Sequence, residues 1–527
     1  MNRHLRRLSL AVSIAVAALQ ASSVAAELQP LSGARPNIVF ILSDDLSYFD
    51  LSGFGQKHFQ TPNIDLLARH GMIFTDAYAG SPECAPSRGS LMTGRHMGHC
   101  RIRANRSGRG QDHLLAEDQT VAEVLRKAGY ATGFVGKWGI GLPGTPGTPD
   151  RQGFDFSFGY YDQGRAHGFF PDYVMVDGRE RLLPENHGFD MKRLYTYNSR
   201  PVDRLDGVEN QYDDRGRLVP DGVADPTKAK YSEYLFRDAA RDFIRRSAER
   251  PFFLYYATQL PHGPLIVPEL GRYKDKPWDL KHKEWAAMMH TLDQSVGLLV
   301  DELKRQGVFE NTVLFFAGDN GYSQWGYFGR RAWLDDPIFQ NKGPWHKGKF
   351  ICTDGGSRVP FFVSWPGRIE PGKTDHLTAL YDFLATAADL AGAEPSEPTD
   401  GISLVPLLAG RHEDQGEHRY LYWENGSKSP HAQAARRGRW YGYREHPSKP
   451  LELYDLANDV GCTTDLAEKN PAVVAEILDI FEEAHVDSQW YTNPGDPPEA
   501  IRARRRQAER EGTLQNATRA NSRYARE

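Results

Sequence analysis

Two runs of strongly apolar residues, far apart in this 527-residue chain, each end on a pair of acidic or amide side chains, and this constrains the fold more than any other feature. Ile38-Val39-Phe40-Ile41-Leu42 leads into Ser43-Asp44-Asp45, and Thr312 to Ala317 leads into Gly318-Asp319-Asn320. A strand made of consecutive Val, Ile, Phe and Leu has no polar face, so it must be covered on both sides, as strands of parallel or mixed α/β sheets are. Pro251 to Ala257, ending near His262, and Ala131 to Val135, ending at Gly136-Lys137-Trp138, read as two more such strands. Helical patterns lie between them. Thr120 and Glu123 form a capping box ahead of Val124 and Leu125, with Gly129 closing the turn, and Trp285, Met288, Met289, Leu292, Val296 and Leu299 recur at helical spacing before Gly307. The expected class is therefore α/β, a large mixed sheet flanked by helices.

Open α/β sheets place ligand sites beyond the carboxyl ends of their strands, where these polar residues cluster. Asp44 and Asp45 are adjacent, so in a regular strand they face opposite ways and converge only if the chain turns out of the strand between them. With Asp319 and Asn320 they make a set of hard oxygen donors suited to Ca²⁺ or Mg²⁺, and no His or Cys at zinc-ligand spacing accompanies them. Taken alone, an Asp-Asp or Asp-Asn pair more often caps a turn.

A net charge of −5 argues against nucleic acid as the main partner. Arg3, Arg6 and Arg7 precede an apolar stretch from Leu8 to Leu19 and the small residues Ser23, Ala25 and Ala26, which reads as a signal peptide over residues 1–26. The stretch is shorter than the ~20 residues a spanning helix needs. The expectation is export to the periplasm or the medium without integral membrane association. Cys84, Cys100, Cys352 and Cys462 are too few for a disulfide framework.

The run Cys84-Ala85-Pro86-Ser87-Arg88, followed by Thr93-Gly94-Arg95, resembles the signature that marks a cysteine for oxidation to formylglycine in sulfatases. Further matches occur in family order: Pro36-Asn37-Ile38-Val39, Thr61-Pro62-Asn63-Ile64-Asp65, Gly136-Lys137-Trp138, Pro261-His262-Gly263-Pro264, Arg358-Val359-Pro360 and Glu452-Leu453-Tyr454-Asp455-Leu456. The chain is thus similar to the cysteine-type, formylglycine-dependent sulfatases of the alkaline phosphatase superfamily, among them the arylsulfatases and N-acetylgalactosamine-6-sulfatases. That resemblance implies Ca²⁺ held by Asp44, Asp45, Asp319 and Asn320 together with the formylglycine derived from Cys84. Arg88, Lys137 and Lys349 would be cations around the sulfate, and His262 the contact that protonates the leaving alcohol. It implies a hydrated aldehyde as nucleophile: one hydroxyl attacks sulfur and releases the alcohol, and loss of the proton from the other expels sulfate and restores the aldehyde. The implied partners are a sulfated glycan or small sulfate ester and a formylglycine-generating or sulfatase-maturating enzyme.

Two positions depart from the family pattern. Gly139 stands where many sulfatases carry a histidine after Gly-Lys-Trp, and Asp354 stands where glutamate is common. His167 is a candidate replacement or substrate contact, or a loop histidine with no catalytic role. The expected organisation is a catalytic domain over residues 35–410, a small C-terminal α+β domain with an antiparallel sheet over 411–492, and a charged, loose tail over 493–527. Pro201 to Thr227, rich in Asp, Arg and Gly, reads as an exposed insertion. Two other functional readings stand beside the sulfatase: a phosphoester or phosphonate monoester hydrolase of the same superfamily, and an inactive protein that binds sulfated glycans.

Overall fold

Strand β1 (Asn37–Asp44) is buried at all eight positions, as its lack of a polar face demands. In the computed structural model, which describes residues 30–190, 192–194, 207–323, 336–425, 431–497 and 499–514, it lies at the centre of a ten-stranded sheet. The other strands are β2 (Met72–Phe74), β3 (Ala77–Tyr78), β4 (Ala131–Lys137), β5 (Phe156–Tyr160), β6 (Tyr173–Val176), β7 (Arg179–Leu182), β8 (Phe252–Pro261), β9 (Thr312–Gly318), β10 (Phe361–Ser364), β11 (Gly372–Thr374) and β12 (Thr378–Ala379). The sheet order is β11-β2-β10-β9-β1-β8-β4-β5-β6-β7, and β3 pairs separately with β12. The middle five strands, β9 through β5, run parallel, with antiparallel strands on either flank.

Alternate residues of β1 feed two different cores. Val39 and Ile41 pack with the helices Ser232–Ser247 and Leu280–Arg305 on one face, while Ile38, Phe40 and Leu42 pack with Val121–Lys127 and Asp382–Ala391 on the other. The expected capping box is present, Thr120 Oγ1 accepting from the Glu123 amide at 3.2 Å. The 26-residue helix Leu280–Arg305 buries the predicted Trp285-to-Leu299 stripe.

A second, four-stranded antiparallel sheet follows: β13 (Leu421–Glu424), β14 (Gln433–Arg437), β15 (Trp440–Arg444) and β16 (Glu452–Asp455). One face packs Tyr422, Ala435 and Leu453 against Ile477 and Phe481 of the helix Pro471–Ala484. The other packs Trp423, Ala434 and Tyr441 against Tyr78, Cys352 and Tyr381 of the large unit, and Trp423 Nε1 donates to the Ala79 carbonyl at 2.9 Å. This is the α/β arrangement with an antiparallel C-terminal sheet that the resemblance implies.

The C-terminal stretch departs from expectation. Ala500–Glu511 forms a helix closed by Gly512, and Arg504 bonds to the Gln489 carbonyl and pairs with Asp496, so residues 500–511 are not a loose tail. High charge hid a helix former, because Ala, Arg, Glu and Gln all have good helix propensity. The described part of the insertion is anchored at one end: Asn210 bonds to Leu265 O and Glu284, and Tyr212 donates to Glu284 at 2.9 Å. The signal-peptide segment lies outside the described residues. No helix among the described residues is long and apolar enough to cross a membrane. All four cysteines are buried thiols without a disulfide.

Candidate functional site

Four parallel strands deliver the site. β1 ends on Asp44, β4 on Lys137, β8 runs into His262, and β9 runs into Asp319 and Asn320. All lie at carboxyl ends of neighbouring strands, so their side chains meet above the sheet. The turn that brings Asp45 alongside Asp44 is visible in the backbone: Asp45 adopts φ of 62°, the left-handed region that Asp tolerates better than most residues. Its amide donates to Asp319 Oδ1 at 3.0 Å, which ties the β1 exit to the β9 exit.

Cys84 opens the helix Cys84–Thr93, buried at every position, and its side chain sits at the positive end of the helix dipole. Glu83 and Asn105 fix that end: Asn105 Oδ1 accepts from the Ala85 backbone N–H at 2.9 Å, and Glu83 Oε2 accepts from the Asn105 backbone N–H at 3.0 Å. Burial pushes the Cys84 thiol up to about 12, against the pull of Lys137 and Lys349.

Three cations interleave with three carboxylates. Arg88 donates from Nη2 to Asp319 Oδ2 at 2.8 Å and from Nη1 to the Lys137 carbonyl at 2.7 Å. Lys137 Nζ contacts Asp44 Oδ2 at 2.5 Å. Lys349 Nζ pairs with Asp45 Oδ1 and lies 3.2 Å from Cys84 Sγ. Burial alone would raise the Asp44 carboxyl, but Lys137, His262, Arg88 and Lys349 together hold it well below the usual carboxylate range. Asp319 goes the other way: burial and the neighbouring Asp44 charge push it up to about 7 despite Arg88. His262 Nε2 lies 3.4 Å from Asp45 Oδ2, and burial pulls its imidazole down to about 4.

The donor set fits a hard divalent cation. Asp44 Oδ1, Asp45 Oδ2 and Asn320 Oδ1 are buried and have no hydrogen-bond partner among the described residues. An unmade bond at one buried polar group costs about 1–3 kcal/mol, so three convergent orphans need a common partner. Asn320 Nδ2 donates to Asp45 Oδ1 at 2.9 Å, leaving its oxygen free to ligate. Ligand atoms of Asp44, Asp45, Cys84 and His262 lie within 4.8 Å of one another.

The structure also accounts for the two departures. Gly139 has φ of 80°, and a Cβ there would stand 2.5 Å from Gln163 Oε1. The space beside Gly139 is filled by Gln163, whose backbone N–H donates to Gln111 Oε1 at 2.8 Å. His167, in the turn Arg165–His167, stacks on His262 with ring centroids 4.6 Å apart and planes 6° apart. Asp354 turns away from the cation residues: it accepts from the Tyr78 hydroxyl at 2.5 Å and pairs with Arg358 at 3.0 Å. Sequence reasoning missed Gln111, Gln163, Glu83 and Asn105, since ordinary polar residues in loops carry no motif.

The sulfatase family profile matches residues 36–393, and the N-sulphoglucosamine sulphohydrolase C-terminal profile matches residues 343–483. Human arylsulfatase A is 32% identical over 409 residues, covering 74% of this chain and 71% of the relative. N-acetylgalactosamine-6-O-sulfatase of Bacteroides thetaiotaomicron is 27% identical over 504 residues, covering 85% and 93%. Among solved structures, Ps i-CgsB in complex with k-i-k-neocarrahexaose superposes with a TM-score of 0.66 at 28% identity, covering 85% of this chain and 92% of that one. The fold is shared more distantly with the phosphonate monoester hydrolase of Agrobacterium radiobacter, TM-score 0.57 at 21% identity over 85% of this chain and 95% of that one. A profile match spanning more than half of the chain, with the arylsulfatase identity behind it, makes this protein a member of the sulfatase family of sulfuric ester hydrolases.

Proposed function

We propose that this sulfatase removes sulfate from a sulfated carbohydrate or a small aryl or alkyl sulfate at the Cys84 site, with Cys84 converted to formylglycine and Ca²⁺ held by Asp44, Asp45, Asp319 and Asn320. The observation that carries this reading is the position of Cys84, at a helix amino terminus, 3.2 Å from the Lys349 ammonium, with its sulfur inside the same ligand cluster as Asp44 and Asp45. The relatives named for N-acetylgalactosamine-6-sulfate hydrolysis and the structure holding a neocarrahexaose support a carbohydrate as the sulfated group.

Charge supports an anionic substrate. Three carboxylates facing Arg88, Lys137 and Lys349 are already balanced, so a bound divalent cation leaves the pocket positive, complementary to a sulfate monoester. The cation, when bound, would polarise the sulfate oxygens and lower the pKa of the nucleophilic hydroxyl. Lys349 and Lys137 would neutralise charge on the transferring group, while Arg88 holds Asp319 and the end of β4 in place. His262, stacked on His167 and donating its Nδ1–H to the Gly263 carbonyl, would act as the acid only after taking a second proton at Nε2, which faces the leaving oxygen once substrate displaces its contact with Asp45. His167 would orient that ring. Export of the chain and maturation by a formylglycine-generating enzyme belong to the same proposal.

The test is released sulfate from a panel of sulfated mono- and oligosaccharides and aryl sulfates, alongside mass spectrometry of the Cys84 peptide from protein made with its maturation system. Turnover with formylglycine at position 84, both lost in Cys84→Ala, is the expected result. Phosphonate or phosphate esters cleaved faster than every sulfate ester, or full activity in Cys84→Ala, would overturn it.

A further inference from the structure

A second cluster of ligand-type side chains lies where the C-terminal sheet meets the large unit, and the catalytic reading does not use it. Glu424 at the end of β13, His431 just before β14 and His485 just after the helix Pro471–Ala484 converge so that one ligand atom from each lies within 4.8 Å of the others. Glu424 Oε2 is 2.6 Å from His485 Nδ1 and 3.6 Å from His431 Nε2. Four bonds of about 2.0–2.1 Å in a tetrahedron hold their ligand atoms about 3.3 Å apart, so the His431 contact is already near that spacing and the His485 contact would open by about 0.7 Å as the ion replaces the shared proton.

Three observations separate this cluster from an ordinary polar network. First, His431 is 3% exposed, and its Nε2, aimed at Glu424, has no hydrogen-bond partner among the described residues. Second, the far nitrogen of each histidine is held: His431 Nδ1 meets Thr492 Oγ1 at 3.1 Å, and His485 Nε2 meets Asp487 Oδ1 at 3.1 Å. That is the outer arrangement by which metal-binding histidines are oriented, each donating its second N–H to an oxygen. Third, the spare carboxylate oxygen is satisfied elsewhere. Glu424 Oε1 accepts from Arg103 Nη1 at 2.9 Å, which leaves Oε2, also taking the Tyr422 hydroxyl at 2.8 Å, to face the histidines.

The molecule supplies its own contrast. His96, His99 and Asp400 form another described triad, with His99 Nδ1 2.9 Å from Asp400 Oδ1. There His96 Nδ1 accepts the Gly98 N–H at 3.2 Å, so Nε2 must carry the ring proton and a neutral His96 cannot ligate through it. That triad is a hydrogen-bonded corner. In the Glu424 cluster no backbone N–H among the described residues occupies a ring nitrogen of either histidine.

We propose that Glu424, His431 and His485 bind one zinc ion, with a water completing a tetrahedral site, and that the ion ties β13 and the start of β14 to the end of the helix Pro471–Ala484. Two imidazoles and one carboxylate suit zinc, unlike the all-oxygen donors at Asp44 and Asn320. Zinc takes the place of the proton between His485 Nδ1 and Glu424 Oε2, and that proton leaves to solvent. Asp487, whose side chain is 85% exposed, marks the route in from the surface. Arg103 carries the restraint across the interface, because it also donates to the Gly98 carbonyl at 2.8 Å. Ligands at positions 424, 431 and 485 lack the short spacing of sequence-recognisable zinc sites.

The experiment is zinc titration of the full-length protein with calcium in excess to occupy the oxygen-donor site, read by bound metal per chain and by calorimetry in two buffers of different ionisation enthalpy. Wild type and Asp45→Asn should each take up one zinc with proton release. His431→Gln and His485→Gln should weaken binding at least about 100-fold, and Thr492→Val about 10-fold through the lost orienting bond. Absence of zinc uptake by wild type, or uptake unchanged in His431→Gln, overturns the proposal. Should those variants fail to fold, zinc X-ray absorption on the Asp45→Asn protein decides: two imidazole ligands support the site, and one or none overturns it.

Discussion

The Lys349 ammonium bridges Asp45 and Cys84, pairing with one carboxylate oxygen of Asp45 and standing 3.2 Å from the Cys84 sulfur. It is therefore placed to neutralise charge on whatever group position 84 carries and on the group transferred to it. Lys349→Ala should lower kcat/KM by about 10²–10³ with the far-UV spectrum unchanged, the range for losing one oriented donor at a reacting centre. Lys349→Arg should recover little, since a planar fork cannot replace a compact ammonium between two buried groups. Activity within threefold of wild type in Lys349→Ala would remove this lysine from the chemistry.

Cation removal has a separate signature. Asp44 Oδ1, Asp45 Oδ2 and Asn320 Oδ1 converge without hydrogen-bond partners among the described residues, so a bound ion should stabilise the fold as well as support turnover. At calcium a hundredfold above its Kd the stabilisation is about 2.7 kcal/mol. A calcium-selective chelator should lower Tm and abolish sulfate release, both restored by added Ca²⁺. In Asn320→Leu the calcium concentration needed to raise Tm should increase, and an unchanged calcium dependence of Tm there would exclude Asn320 as a ligand.

Gly139 is best tested together with Gln163. A side chain at 139 meets Gln163 Oε1 at 2.5 Å and must sit at φ of 80°, a conformation worth about 1–2 kcal/mol against an L-residue. Gly139→His should therefore lower stability by at least that amount and leave kcat no higher. Gln163→Ala opens the space, so the double variant should be less destabilised than the sum of the singles. Denaturant titrations of the four proteins measure that coupling, and strict additivity would show that Gln163 is not what fills the position.

The fold and the site were legible to different depths. β1, β4, β8 and β9 announced themselves because strands buried on both faces have no polar residue to blur their limits, and their exits supplied the acidic and basic side chains. The positive φ of Asp45 follows from needing two consecutive carboxylates on one side. What stayed hidden depends on contacts between residues distant in sequence. Glu83 and Asn105 are 22 positions apart. Gln163 matters only because Gly139 has no side chain, and Glu424 and His485 are 61 positions apart. The helix Ala500–Glu511 was misjudged because charge content was read as disorder, although its residues favour helix and Ala508 is fully buried.

A pH dependence of stability should arise at His418, remote from the cation residues. Its Nε2 lies 2.8 Å from Asp382 Oδ1, with side-chain exposures of 5% and 1%. Burial works against the charged ring, but the Asp382 charge and hydrogen bond, with a further pull from Asp400, outweigh it and raise the imidazole above its ordinary value. His376 and the Tyr381 ring are the other groups facing it, and His376 opposes the charge. Because the folded-state pKa is above the unfolded value near 6.5, the contribution is fully present below about pH 6.5 and is lost as pH rises through the folded pKa. Tm should accordingly fall more steeply from pH 6.5 to 9 in wild type than in His418→Gln, whose amide can still donate to Asp382 but cannot titrate. Parallel Tm profiles for the two proteins over that range would show that the His418–Asp382 pair is not the source of the pH dependence.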